Sequence, residues 1–130
     1  RDAVAQMRAD ESKRAQARYD REFDASEART RSEFRFVADK NHPGYKRMAE
    51  IDRQLEEEND PLFNDPNKPY RIAQMASTYL QQKEKERING NIERARTKGM
   101  LPPKFASLPL PERRDLIAAR KGFLSTVKPD

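Results

Sequence analysis

The 130-residue sequence has no cysteine and no tryptophan, and it has a single histidine. Without cysteine the chain can form no disulfide, no thiolate nucleophile and no cysteine-based zinc site. The four glycines are too widely spaced for a glycine-rich phosphate-binding loop. The single histidine, His42, precedes a proline, and a histidine in such a turn is interpreted as a helix cap rather than as a general base. We therefore expect no catalytic site, no bound metal and no cofactor.

Long apolar runs are missing as well. The longest stretches, such as residues 116–119, span only a few residues. A membrane span needs about 20 apolar residues and a signal peptide at least about 7. We therefore expect no membrane partner. The chain begins at Arg1 rather than at methionine, which is compatible with a fragment of a longer protein.

Charge is what the sequence has in excess. Charged residues make up 38% and hydrophobic residues 35%, whereas an average soluble domain has about 25% and 45–50%. This balance predicts an elongated all-α protein that partner chains stabilise as much as its own interior does. The net charge of +5 comes from residues 83–130, which carry twelve basic and six acidic side chains. An excess of positive charge there favours an acidic partner.

The pattern of breaks divides the chain into three segments. Residues 1–40 form a long charged helix, because residues 2–40 contain neither glycine nor proline. Residues 41–99 form a helical hairpin region, and residues 100–130 form a proline-rich linker followed by a basic helix. Two interpretations of the first helix stay open: a solvated helix with one contact face, or a homo-oligomeric coiled coil.

The hairpin region begins at a corner at residues 41–44, where Pro43 suits the first position of a helix over 44–58. The turn at residues 60–69 holds three prolines, and its Leu62 and Phe63 are predicted to pack against the helices.

A third helix is predicted from near Pro69 to a cap at Gly99. Gly90 lies inside that helix, and an interior glycine costs about 1 kcal/mol relative to alanine. A break at Gly90 and a continuous helix therefore both stay open.

The C-terminal segment carries the candidate partner-binding residues. Residues 100–111 alternate proline with large apolar side chains, and a fourth helix is predicted over 111–121. The apolar anchors and the charged residues around them are Leu108, Leu110, Leu116, Ile117, Phe123 and Leu124, with Arg113, Arg114, Arg120 and Lys121. In the alternative interpretation, the apolar members fold back on the third helix.

Three short motifs add a family resemblance. They are residues 36–45 (FVADKNHPGY), residues 60–62 (DPL) and residues 65–73 (DPNKPYRIA). Their order resembles the layout of tailed-bacteriophage scaffolding and internal virion proteins, with Gly44 in the place of an acidic residue. The resemblance implies a non-enzymatic capsid-assembly or structural protein, located in the virion or the host cytoplasm, that binds other virion proteins. Self-association into a homo-oligomer is compatible with it.

The alternative function is binding of nucleic acid by the basic C-terminal third. Basic side chains recur along the third helix, although acidic ones are interleaved with them: Lys83, Lys85, Arg87, Arg94, Arg96 and Lys98. The two functions differ in their salt dependence, because binding to phosphates weakens steeply with salt.

Overall fold

A computed structural model describes residues 2–127, and these residues form helices and connecting turns without a β-strand. The α-helices are α1 (Asp2–Glu33), α2 (Pro43–Glu57), α3 (Lys68–Lys98) and α4 (Leu110–Thr126). Short 3-10 helices cover Arg35–Ala38, Pro61–Asn64 and Phe105–Ser107. The all-α prediction is confirmed. The chain divides into two compact units, residues 1–80 (unit 1) and residues 81–130 (unit 2), and the predicted C-terminal segment extends past the described residues at 128–130.

The first helix is shorter than predicted, because it ends at Glu33 instead of continuing to residue 40. Phe34 leaves the helix with an extended backbone, φ −121° and ψ 100°. Its ring lies 5.7 Å from the ring of Phe36 and 5.8 Å from that of Tyr70. The packing of these rings in unit 1 outweighs the helical propensity of residues 34–40.

The predicted corner caps α2. His42 Nδ1 accepts a hydrogen bond from the Gly44 N–H at 2.9 Å, and Pro43 occupies the first turn of the helix. The capping role predicted for His42 is therefore confirmed. The Phe36 ring covers Gly44 so closely that a Cβ there would lie 2.7 Å from ring atoms.

The core of unit 1 lies between α2 and the first turns of α3. It consists of Ile51 and Leu55 from α2 with Ile72 and Ala76 from α3, and half-buried apolar residues surround it: Phe36, Met48, Leu62 and Phe63. The prediction that the proline-rich turn packs through Leu62 and Phe63 is confirmed.

Ser26 of α1 caps the start of α3 from outside that helix. Its buried Oγ accepts a hydrogen bond from the Tyr70 N–H at 3.2 Å and donates one to Asn67 Oδ1 at 3.2 Å. The first N–H groups of a helix have no partner within the helix. Ser26 supplies one, so the start of α3 is held at a defined place on α1.

One turn further along α1, an ionic cluster holds the same two helices. The Tyr70 hydroxyl donates to Glu33 Oε2 at 2.7 Å, and Arg29 Nε donates to Glu33 Oε1 at 3.1 Å. The Arg29 guanidinium also lies 3.9 Å from the centre of the Tyr70 ring. Hydrogen bonds from Tyr70 and then Arg29 lower the pKa of Glu33, and the bond to Glu33 raises the pKa of Tyr70.

In unit 2, α3 continues through Gly90 without a break and ends before Gly99, whose φ is +66°. This confirms the predicted glycine cap. The fourth helix does not end at residue 121 as predicted, but continues to Thr126. Gly122 is an ordinary helical position, and the next residue, Phe123, packs its ring against Gly99.

Two of the helical glycines, Gly44 and Gly122, give a matched pair of substitutions. Gly44→Ala should destabilise the protein by about 1–3 kcal/mol, because the new methyl group would displace the Phe36 ring. Gly122→Ala has open space around it and should stabilise the protein by about 0.5–1 kcal/mol. Urea unfolding followed by circular dichroism measures both, and equal effects of the two substitutions would contradict the packing described for Phe36.

The Glu33–Tyr70 pair should make stability depend on pH at both extremes. Because the pKa of Glu33 is lowered, its contribution is present above the ordinary value of 4.5 and is lost as the pH falls through the lowered value. Because the pKa of Tyr70 is raised, its contribution is present below the ordinary value of 10.0 and is lost as the pH rises through the raised value. Tyr70→Phe should flatten both limbs of the stability–pH curve, and Tyr19→Phe, at a half-buried tyrosine of α1, is the control. Identical curves for Tyr70→Phe and the wild type would refute the assignment.

Candidate functional site

One side of α4 is buried within unit 2. The inward residues follow helical spacing: Glu112, Leu116, Ala119 and Phe123. Leu116 has no exposed surface, and Phe123 is half-buried against Gly99. Leu116 was expected to be a docking anchor. It is instead a core residue. This agrees with the alternative interpretation, in which the apolar side chains of this segment fold back instead of binding a partner.

An ion pair fixes the start of the same side. Glu112 is 8% exposed, and its Oε1 lies 3.0 Å from Nη2 of Arg87 on α3. Arg87 also binds Glu84 at 2.7 Å. The hydrogen bonds that Arg87 donates to these two carboxylates raise the pKa of Arg87, and the bond from Arg87 lowers the pKa of Glu84. A buried carboxylate needs a partner, and Glu112 would lose Arg87 if α4 turned about its own axis. The ion pair therefore fixes the rotation of α4 about that axis.

The opposite side of α4 carries three large apolar side chains in the open. Leu110, Ile117 and Leu124 are 49%, 51% and 54% exposed. They recur every seven residues, so they form one stripe along the helix.

Every residue beside that stripe is basic. Successive helical residues are about 100° apart, which places seven side chains in one arc of about 120° on the outward side. They are Leu110, Arg113, Arg114, Ile117, Arg120, Lys121 and Leu124. The acidic residues of the helix, Glu112 and Asp115, lie outside the arc. We call these seven residues the α4 face.

The cations of the α4 face differ from those of α3. Within residues 2–127, no carboxylate forms an ion pair with Arg113, Arg114, Arg120 or Lys121. The buried Arg113 Nε also lacks a hydrogen-bond acceptor there. On α3, by contrast, neighbouring carboxylates pair with three of the cations: Lys83 with Glu86, Arg87 with Glu84, and Arg96 with Glu93. The four cations of the α4 face are therefore free of ion pairs within the described residues, whereas three of the six cations in residues 83–98 of α3 are paired.

The linker before α4, residues 99–109, has half-buried apolar side chains. Leu101, Phe105 and Leu108 are half-buried, and Leu108 N–H donates to the Phe105 carbonyl at 3.1 Å. Leu108 was expected to be an anchor and is less accessible than the three residues of the stripe. The structure therefore brings seven of the ten predicted residues together on one face and places Leu108, Leu116 and Phe123 elsewhere.

Unit 1 has several small open clefts. A cleft of about 320 Å³ is lined mainly by apolar side chains, including Phe23, Val37, Met48 and Ile72, with Glu27, Arg31 and Lys68 also in its wall. In the described part of the chain, no group of three or more histidine, aspartate and glutamate side chains is arranged to hold a metal. No helix in that part is long and apolar enough to cross a membrane.

Adjacent residues of α4 should respond oppositely to truncation. Leu116→Ala should destabilise unit 2 by about 2–5 kcal/mol, because it leaves a cavity in a packed site. Ile117→Ala should change stability by less than about 0.5 kcal/mol, because that side chain is exposed. Hydrogen exchange of the amides of residues 81–127 measures the effect within unit 2. Equal exchange in the two variants would mean that the inward side of α4 is wrongly assigned.

The sequence alone did not separate the two sides of α4. Leu110, Ile117 and Leu124 form one series with a spacing of seven residues, and Leu116 and Phe123 form a second. The existence of two separate series was the sequence signal that these residues lie on two sides of the helix. Comparison with protein-family models, with curated proteins and with solved structures finds no match. The site therefore rests on the geometry and charge of this chain.

Proposed function

We propose that this chain is a non-enzymatic assembly protein that docks on an acidic protein surface through the α4 face. The observation that supports this most is the composition of that face: three exposed aliphatic side chains, four cations and no acid. Together with the resemblance of residues 36–73 to tailed-bacteriophage scaffolding and internal virion proteins, it favours a virion component. The docking would take place in the virion or in the host cytoplasm.

The two kinds of side chain would have different tasks. Burial of large apolar groups at the centre of an interface supplies most of the affinity. Charges at the rim mainly orient the partner and speed association.

Binding of nucleic acid is the second candidate, and the charge of the C-terminal third is the reason to keep it. Two observations favour the protein partner. Carboxylates of α3 already pair with several of its cations, and the α4 face contains no aromatic side chain on which a base could stack. Exposed leucine and isoleucine are also of little use against phosphates.

Affinity capture with the full chain, followed by purification of the captured acidic protein, allows a direct test. Replacing Ile117 and Leu124 with aspartate should weaken binding by about 30-fold or more, because both apolar anchors are lost. Arg114→Ala with Lys121→Ala should mainly slow association. Val4→Asp with Met7→Asp is the matched control, because these residues of α1 are equally exposed.

Two results would contradict the proposal. Full binding by the Ile117/Leu124 variant together with loss of binding by the Val4/Met7 variant would place the docking site on α1. Tight binding of a DNA or RNA duplex that weakens log-linearly with salt, lost on replacing the α4 cations, would favour the nucleic-acid function instead.

A further inference from the structure

Unit 1 contains a groove with mixed walls, three apolar and four polar or charged residues, in which Glu58 and Asp60 outnumber Arg47. Its net charge is thus opposite to that of the α4 face. The groove lies between α2 and α3 and encloses about 300 Å³. Ile51, Leu55 and Met75 give it apolar walls, and Met75 is 43% exposed. A space of this size accommodates one or two aliphatic side chains.

Negative charge is concentrated beside the groove at the end of α2. Glu56 and Glu57 occupy the last turn, Glu58 follows as the cap, and the last turn contains no basic residue. The carbonyl end of a helix is itself partially negative, so these carboxylates are unfavourably placed. A docked cation would relieve both the mutual repulsion of the carboxylates and their conflict with the helix end.

The cation in the groove wall does not oppose such docking. Arg47 Nη1 lies 3.0 Å from Glu50 Oε2, and its guanidinium lies 4.1 Å from the centre of the Tyr79 ring. The 320 Å³ cleft of unit 1 has the wrong charge for a basic partner, since Arg31 and Lys68 outnumber Glu27 in its wall. Of these two clefts, the groove between α2 and α3 is the one whose charge complements the α4 face.

We propose that the α4 face of one copy docks in the α2–α3 groove of a second copy. Ile117 and Leu124 would enter the groove beside Leu55 and Met75, while the cations of α4 would lie against the carboxylates at the end of α2. The proposal rests on the proposed function, because it names this chain as one acidic partner of the α4 face. The two surfaces differ, so the contact is heterologous and leads to rings or open chains of subunits rather than to a symmetric pair.

Charge reversal on each surface tests the pairing. One variant carries Arg114→Glu with Lys121→Glu, and the other carries Glu57→Lys with Glu58→Lys. All four side chains are exposed, so both variants should fold. Arg8→Glu with Arg14→Glu on exposed α1 makes the same change in net charge as the first variant and is its control.

Sedimentation velocity of the full chain over a range of concentrations at low salt provides the readout. The wild type and the control should associate with increasing concentration. Each reversed variant alone should associate at least about 30-fold more weakly, because like charges then face each other. An equimolar mixture of the two variants should recover association, since each reversed surface then meets an opposite one.

The outcomes separate this inference from the proposed function. A wild type that stays monomeric at every concentration, or a mixture that fails to recover association, overturns docking of one copy on another. If the captured acidic protein still requires Ile117 and Leu124 in that case, the proposed function survives. Loss of self-association only in the α1 control would also overturn the inference.

Discussion

The ion pair between Glu112 and Arg87, with Leu116 buried one turn away, determines which side of α4 faces the solvent. A helix of mixed apolar and basic residues has no preferred rotation unless part of it is buried. Here a carboxylate that needs a cation and a leucine without exposed surface select one rotation. The stripe of Leu110, Ile117 and Leu124 then faces outward because of the helical repeat. The candidate docking face is thus a consequence of the core of unit 2.

Unit 1 is organised by a different kind of constraint. Its helices meet through polar groups, with Ser26 capping α3 and Glu33 binding both Tyr70 and Arg29. These directional contacts complement a small apolar core, as expected for a chain with few large aliphatic residues. The apolar core and the ion pair between Lys68 and Asp52 at 2.9 Å hold α3 beside α2, and the groove lies between these two helices next to the acidic end of α2. Both proposed surfaces therefore depend on buried polar pairing as well as on apolar packing.

Local patterns predicted the parts of the fold that local chemistry decides. The cap at His42, the end of α3 before Gly99 and the packing of Leu62 and Phe63 followed from short motifs with a physical reason. The ends of α1 and α4 did not, because tertiary contacts decide them: Phe34 packs on Tyr70, and Phe123 packs on Gly99. For the candidate site, composition pointed to α4, but it did not show that Glu112 is the buried partner of Arg87. Without that pair, Leu116 and Ile117 could not be assigned to opposite sides.

Under the proposed function, an acidic protein surface covers the α4 face when the chain binds its partner. Hydroxyl-radical footprinting of the free chain and of the assembled complex tests it without any substitution. We expect Leu110, Ile117 and Leu124 to be oxidised in the free chain and to become protected on assembly, while Val4 and Met7 stay reactive. Protection of Val4 and Met7 with unchanged oxidation of Ile117 and Leu124 would contradict it.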